Sequence, residues 1–395
     1  MRDFTSNRIK EIKPSGIRKF FDIANKIEDC ISLGVGEPDF DTPWHITEEG
    51  IYSLEQGRTF YTSNQGLPEL REEISKWNKR KYGLDYGPEE IIVTCGGSEA
   101  IDIALRACIN PGDEVIIPSP YWLSYPEMVK MADGIPVPVP TSFENEYKAT
   151  VADFENAFTD KTKALILNTP SNPTGMLYTR EELLDIADFA VSKDIYVVSD
   201  EMYEYLTYNG AEHVSIASLG DEIYKRTITV SGVAKSYAMT GWRIGYCGSP
   251  LDVAKAMSAI QSHATSNPNS IAQRATEEAL LGPQDSLVEM RKEFDKRREY
   301  MYNRVVNMPH VTCHEPQGAF YVFVDAREAT KLSYKGEVVG SAANIARILI
   351  EDYNTAVIPC EDFAADGHFR LSYAISMDMI EKGLDRIEEF LNSLA

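Results

Sequence analysis

The sequence predicts an α/β protein. Its large domain is three-layered, with a mostly parallel seven-stranded sheet, and a smaller α+β domain is formed by the two chain ends. Three observations carry this expectation. Between residues 91 and 250, short β-branched apolar runs alternate with helical patterns, which is how βαβ units read. After 250 the alternation stops and a long charged helix leads into short strands. The chain has 395 residues, 43% hydrophobic and 25% charged, enough to bury two cores and too apolar to stay disordered. The expected boundaries are 46–284 for the large domain, and 1–45 with 285–395 for the small one.

Residues 1–30 are amphipathic and are broken at Pro14-Ser15-Gly16, before Ile17, Phe20 and Phe21. Ile31 to Gly36 reads as a strand that ends in glycines, and Glu37-Pro38-Asp39-Phe40 reads as a turn. The polar loop 58–66, RTFYTSNQG, precedes a helix over 69–82 that Pro68 opens. Strands are expected at 91–95, 114–117, 135–139, 164–168, 195–199, 227–230 and 244–247. In such sheets ligands sit beyond the carboxyl ends of the strands. A helix over 285–307 places Leu287, Met290, Phe294, Met301 and Val305 on one face. Strands at 311–314, 320–324, 355–358 and 369–373, with helices at 341–352 and 377–393, complete the small domain.

Net charge is −22, which disfavours nucleic acid and anionic membrane as partners. No apolar run approaches the ~18 residues of a membrane helix. The first residues, MRDFTSNRIK, lack a signal core, so a cytoplasmic protein is expected. Six scattered cysteines read as free thiols. The six histidines show no metal-ligand spacing, and no metal site is expected.

The densest chemistry lies in residues 231–246, SGVAKSYAMTGWRIGY. Alone, Lys235 reads as a surface lysine. Here it ends an apolar strand among small residues, where a desolvated amine with a lowered pKa can form a Schiff base. Eight positions on, Arg243 has the planar fork that grips a phosphate. Together they suggest pyridoxal phosphate. Other motifs follow strands directly. Cys95-Gly96-Gly97-Ser98-Glu99 opens a helix whose free N–H groups suit a phosphate. Pro120-Tyr121-Trp122 offers an aromatic platform or a core residue. Asn168 to Gly175, NTPSNPTG, specifies a rigid turn carrying Asn172. Asp200, next to Glu201-Met202-Tyr203, is costly after an apolar strand unless paired, or it caps a helix. Arg370, within FRLSY, demands an anion.

These motifs resemble the class I, fold type I, pyridoxal-phosphate-dependent aminotransferases, and most of all their aspartate/aromatic subgroup. The resemblance runs from Gly36 to Arg370. It implies that Lys235 carries the cofactor and moves the substrate proton. Asp200 pairs with the pyridine nitrogen, and Asn172 and Tyr203 meet the phenolic oxygen. Trp122 stacks on the ring. Gly97, Ser98, Glu99, Ser231 and Arg243 gather round the phosphate, joined by Tyr61 from the neighbouring subunit of a homodimer. Gly36, Trp122, Asn172 and Arg370 meet the substrate, with Arg370 on its α-carboxylate. Two departures stand out. Gly232 occupies a position where some relatives use serine on the phosphate, leaving Ser231 as a substitute. Ser98 stands where some aspartate-specific relatives carry lysine.

The implied activity is transamination between an L-amino acid and a 2-oxo acid such as 2-oxoglutarate. Aromatic or other large donors are favoured, because the segment with Ser15, Ile17, Phe20 and Phe21 is apolar enough to close over the pocket. Aspartate is possible, with Arg18 as a second cation. The alternatives are a carbon–sulfur β-lyase on the same fold and a non-catalytic cofactor-binding effector domain.

Overall fold

The computed structural model describes residues 3–6, 9, 10, 12, 14, 16, 27 and 29–395. The N-terminal residues Ser15, Ile17, Arg18, Phe20 and Phe21, expected to close over the pocket, lie outside the described residues. The strands, in chain order, are β1 (Ile31–Ser32), β2 (Ile91–Thr94), β3 (Glu114–Ser119), β4 (Ile135–Pro140), β5 (Thr162–Asn168), β6 (Tyr196–Asp200), β7 (Thr227–Gly232) and β8 (Gly245–Gly248). They continue as β9 (Thr312–Cys313), β10 (Tyr321–Asp325), β11 (Ser333–Tyr334), β12 (Glu337–Val338), β13 (Thr355–Ala356), β14 (Ile358–Pro359) and β15 (His368–Ser372).

The central sheet has seven strands in the order β2-β8-β7-β6-β5-β3-β4. Pairs from β7 through β4 are parallel, whereas β8 runs antiparallel to both β7 and β2. Two antiparallel steps restore direction, so β2 points the same way as β5, β6 and β7. Their carboxyl ends therefore meet at one edge, and the motifs after all four strands converge there.

Side-chain alternation builds the layers. Along β3, Val115 and Ile117 face a core with the helix Gly97–Cys108, while Ile116 faces the opposite core with the helix Arg180–Ser192. Ala164 and Ile166 divide from Leu165 and Leu167 in the same way. A third cluster joins Val93 and Tyr246 to Leu70, Trp77 and Ala275 on the helices Pro68–Tyr82 and Ser270–Leu281. The sheet is thus covered on both faces, as parallel sheets must be.

The second sheet, β14-β15-β10-β9, is antiparallel. It packs on the helices Asp285–Val305, Ala342–Tyr353 and Met377–Asn392 in a continuous core with Phe294, Phe320 and Phe390. Two expectations need correction. The strand expected over 31–36 keeps only Ile31–Ser32, paired with β13. Beyond it, the carbonyls of Gly34 and Gly36 accept from Arg370 and Lys235 instead of a neighbouring strand. The strand expected at 355–358 is shared between two sheets, since β13 pairs with β1 and β14 with β15. The hairpin β11–β12 had no sequence signal strong enough to predict it.

Candidate active site

A cavity of about 270 Å³ opens at the edge where β2, β5, β6 and β7 end. Ten of the predicted residues line it: Gly36, Gly97, Ser98, Trp122, Asn172, Asp200, Tyr203, Lys235, Arg243 and Arg370.

Lys235 follows β7, which the run Thr227-Ile228-Thr229-Val230 drives into the sheet centre. Its Nζ donates to the Gly36 carbonyl at 2.6 Å. Burial lowers its pKa from 10.5 to about 8; Arg370 and Arg243 push the same way, while Glu37 and Asp200 push back. A neutral amine is therefore within reach near neutral pH, as a nucleophile or base requires.

Asp200 ends β6 and is 7% exposed. Burial raises its pKa, opposed by a bond from the Tyr125 hydroxyl at 2.6 Å and one from the Met202 N–H at 3.1 Å. Desolvation leaves this carboxylate in want of a cationic N–H partner. The Asn168 side chain joins the two strand ends: its amide donates to the Asp200 carbonyl at 2.9 Å, and its oxygen accepts from the Asn172 N–H at 2.8 Å.

Arg370, in β15, is 3% exposed. Its Nη1 donates to Asn172 Oδ1 at 2.7 Å and its Nη2 to the Gly34 carbonyl at 3.0 Å. The guanidinium lies 4.1 Å from the centre of the Tyr321 ring, and its Nε is buried without a hydrogen-bond partner. Accepting from Arg370 orients Asn172 so that its amide nitrogen remains free to donate. Tyr321 also meets Tyr203, hydroxyl to hydroxyl, at 3.0 Å.

At the other end, Arg243 adopts φ 56°, a left-handed backbone uncommon for arginine. The turn brings its guanidinium against Gly96, where an added Cβ would lie 2.5 Å from Nη2. With the N-terminus of helix Gly97–Cys108, which Gly97 and Ser98 open, this sets peptide N–H groups beside one cation, an arrangement that suits an anion.

Three predicted residues stand outside the cavity. Glu99 does not line it: its two carboxylate oxygens accept from the Cys95 N–H and the Thr265 hydroxyl, so its acceptors are committed to securing the turn. Ser231 alternates to the opposite side of β7 from Val230, beside Glu204 and Tyr246. Tyr61 is 89% exposed on its loop. Sequence reasoning missed Tyr125 and Tyr321. Tyr125 sits three residues beyond Trp122, and Tyr321 follows the glycine–alanine–phenylalanine run 318–320, but neither position alone distinguishes a cavity tyrosine from a core one.

The residues present fit pyridoxal phosphate. A neutralisable lysine, a buried carboxylate, a helix N-terminus beside an arginine, and a second, buried arginine with an unpaired guanidinium N–H all line one cavity.

Comparison with known proteins agrees. The aminotransferase class I and II family matches residues 28–387. An aspartate aminotransferase of Bacillus sp. (strain YM-2) is 46% identical over 395 residues, covering 99% of this chain and 100% of that one. The crystal structure of the aspartate aminotransferase from Rhizobium meliloti superposes with a TM-score of 0.96 at 36% identity, covering both chains fully. That of the aromatic aminotransferase from Pyrococcus horikoshii OT3 gives 0.88 at 39% identity, covering 94% of this chain and 98% of that one. With a cavity built for the family's cofactor and matches along its length, this chain belongs to the class I and II aminotransferases and is a pyridoxal-phosphate-dependent transaminase of the aspartate/aromatic subgroup.

Proposed function

We propose that this transaminase takes L-aspartate and bulkier L-amino acids as donors, and a 2-oxo acid such as 2-oxoglutarate as acceptor. The carrying observation is Arg370: a buried fork with an unpaired Nε, in the same cavity as the lowered-pKa amine of Lys235. An α-carboxylate is common to every donor and acceptor, and a planar guanidinium matches it. Relatives named for aspartate support that donor. The neighbour named for aromatic substrates, and the apolar surfaces of Trp122, Tyr321 and Ile101, support the larger ones. Burying an aromatic side chain against such walls contributes roughly 1.5–3 kcal/mol.

The residue roles follow. Arg370 binds the carboxylate and Asn172 holds Arg370 in place. Bound here, pyridoxal phosphate supplies an aldehyde for the amino group and an electron-withdrawing ring. Asp200 would keep the ring nitrogen protonated, and Tyr203 and Asn172 would offer donors to the phenolic oxygen. Lys235 would take the proton from the substrate Cα and deliver it to the carbon that began as the cofactor's aldehyde. The test is single-turnover loss of the holoenzyme's visible band with aspartate, glutamate, phenylalanine and tyrosine in turn. Aspartate and at least one aromatic donor should both react. Silence from all four overturns the reading. Pyruvate and ammonia released from a β-substituted donor, with no oxo acid present, would favour the lyase.

We also propose a cytoplasmic homodimer with shared sites, divided into domains at residues 46 and 284. Support for the dimer is the run of large apolar side chains left exposed between residues 44 and 61, namely Trp44, Ile51, Tyr52, Leu54, Phe60 and Tyr61. Six free thiols suit a reducing compartment. Mixed Lys235→Ala and Tyr61→Ala subunits should regain activity in hybrids; inactive hybrids would exclude sharing.

A further inference from the structure

Tyr321 lines the same cavity as Arg370 and Tyr203 and touches both, though no step of transamination falls to it. The second sheet places it there. In the antiparallel pair of β10 with β15, Tyr321 stands opposite Ser372, and Phe323 stands opposite Arg370. Residues two apart share a face, so Tyr321 and Arg370 are diagonal neighbours, a spacing that an aromatic ring and a guanidinium can bridge. The Arg370 guanidinium carbon lies 4.1 Å from the Tyr321 ring centre, and both residues are buried. At the tip of the ring, the Tyr321 hydroxyl lies 3.0 Å from the Tyr203 hydroxyl. A Cβ added to Gly36 would also lie 3.0 Å from that tip, so glycine at 36 leaves it room. Tyr321 therefore meets the arginine with its face and the tyrosine with its hydroxyl.

Proton counting fixes the direction of the hydroxyl pair. A tyrosine hydroxyl has one proton to give and lone pairs with which to accept. Burial raises the pKa of both Tyr203 and Tyr321, so each keeps its proton at neutral pH. In the pair alone either oxygen can donate. Once Tyr203 gives its proton to the cofactor's phenolic oxygen, its own oxygen is left as an acceptor, and the Tyr321 hydroxyl is the donor placed to fill it. We propose that Tyr321 is a positioning residue with two separable contacts: its hydroxyl donates to Tyr203 and so turns the Tyr203 proton towards the phenolic oxygen, while its ring face seats Arg370 for the α-carboxylate. The inference rests on the roles proposed above for Tyr203 and Arg370.

A side chain that only filled space would not need the hydroxyl. The Tyr321 ring packs edge-on against Tyr203 and Phe320, and a phenylalanine would keep both contacts. What phenylalanine lacks is the donor to Tyr203, whose oxygen would then lie buried and unfilled. Hydrogen bonds in a chain strengthen one another by about 10–30% per bond, so losing the first donor weakens the second. A donor to the phenolic oxygen favours its charged form. Weaker donation therefore raises the pH midpoint at which the holoenzyme's visible absorbance titrates.

The test is a double-mutant cycle read by the pH midpoint of the holoenzyme's visible absorbance. Tyr321→Phe should raise the midpoint by roughly 0.3 unit, and Tyr203→Phe should raise it by more. The double variant should go no further than Tyr203→Phe, because the effect passes through Tyr203. The contact with Arg370 is read separately. Tyr321→Phe keeps the ring face and Tyr321→Leu removes it, so KM for the amino donor should be roughly threefold or more higher in Tyr321→Leu than in Tyr321→Phe. A midpoint unmoved in folded Tyr321→Phe, beside a shifted Tyr203→Phe, overturns the proposal and leaves the transaminase reading intact. Additive shifts in the double variant, or equal KM values for Tyr321→Phe and Tyr321→Leu, overturn it as well. A midpoint unmoved in Tyr203→Phe would overturn the Tyr203 role and this inference together.

Discussion

Tyr125 holds the carboxylate that the chemistry depends on. Its hydroxyl donates to Asp200 Oδ2 at 2.6 Å, leaving the Met202 N–H as the other donor to that carboxylate. Replacing it with phenylalanine keeps the ring, which stands edge-on to Trp122, but removes the proton donor. A lost hydrogen bond to a buried charge costs about 1–3 kcal/mol, and it raises the Asp200 pKa further. Tyr125→Phe should therefore lower kcat by roughly tenfold or more while the protein stays folded. Unchanged kcat and unchanged cofactor retention would show that Tyr125 is only packing. At this scale the sequence was partly legible. Lys235, Asp200 and Arg370 announce themselves because a charge after or within an apolar strand needs a reason. Tyr125 and Tyr321 do not, because a tyrosine in a core and a tyrosine in a cavity have the same neighbours in the chain. Ser231 misleads for a related reason. It lies within β7, one residue after Val230, and the period of two turns it to the other side.

Among the elements, the contact between β8 and the Gly96–Gly97 turn leaves no room for side chains. A Cβ on Gly245 would lie 2.3 Å from the Gly97 nitrogen and 2.4 Å from the Gly96 carbonyl carbon. Gly245→Ala must push that turn away, and the turn together with Ser98 and Arg243 forms the anion end of the cavity. Overpacking of this kind costs about 1–3 kcal/mol. The variant should keep its circular-dichroism spectrum and lose cofactor on desalting; full retention would contradict the assigned anion site. A second element-level feature is the turn after β1. It lends the Gly34 and Gly36 carbonyls to Arg370 and Lys235, while Asp39 pairs with the buried Arg297 at 2.7 Å. The helix Asp285–Val305 was predictable from its apolar stripe. The burial of its arginines was not, since Arg297 and Arg298 add to their own-helix partners Glu293 and Asp295 a second acid from a distant turn, Asp39 and Glu315.

For the molecule as a whole, alternation of strand and helix made the parallel sheet legible, whereas the path of the chain ends depended on pairings far apart in sequence, such as β1 with β13. The assembled site also bears on stability. Folding lowers the Lys235 pKa from 10.5 to about 8, so between those values the unfolded chain binds more protons. The stability of the cofactor-free protein should accordingly rise with pH through that window, and the destabilisation from Lys235 is fully present below it. Lys235→Met should melt above the cofactor-free wild type at pH 7, with the gap narrowing towards pH 10; a constant gap would contradict the lowered pKa. The central claim is that Lys235 is the residue that carries the cofactor. Borohydride reduction of the holoenzyme, followed by proteolysis and peptide mapping, tests it most directly. The account predicts one pyridoxyl-labelled lysine, in the peptide containing Ser231 to Arg243. Label on any other lysine, with Lys235 unmodified, would contradict it.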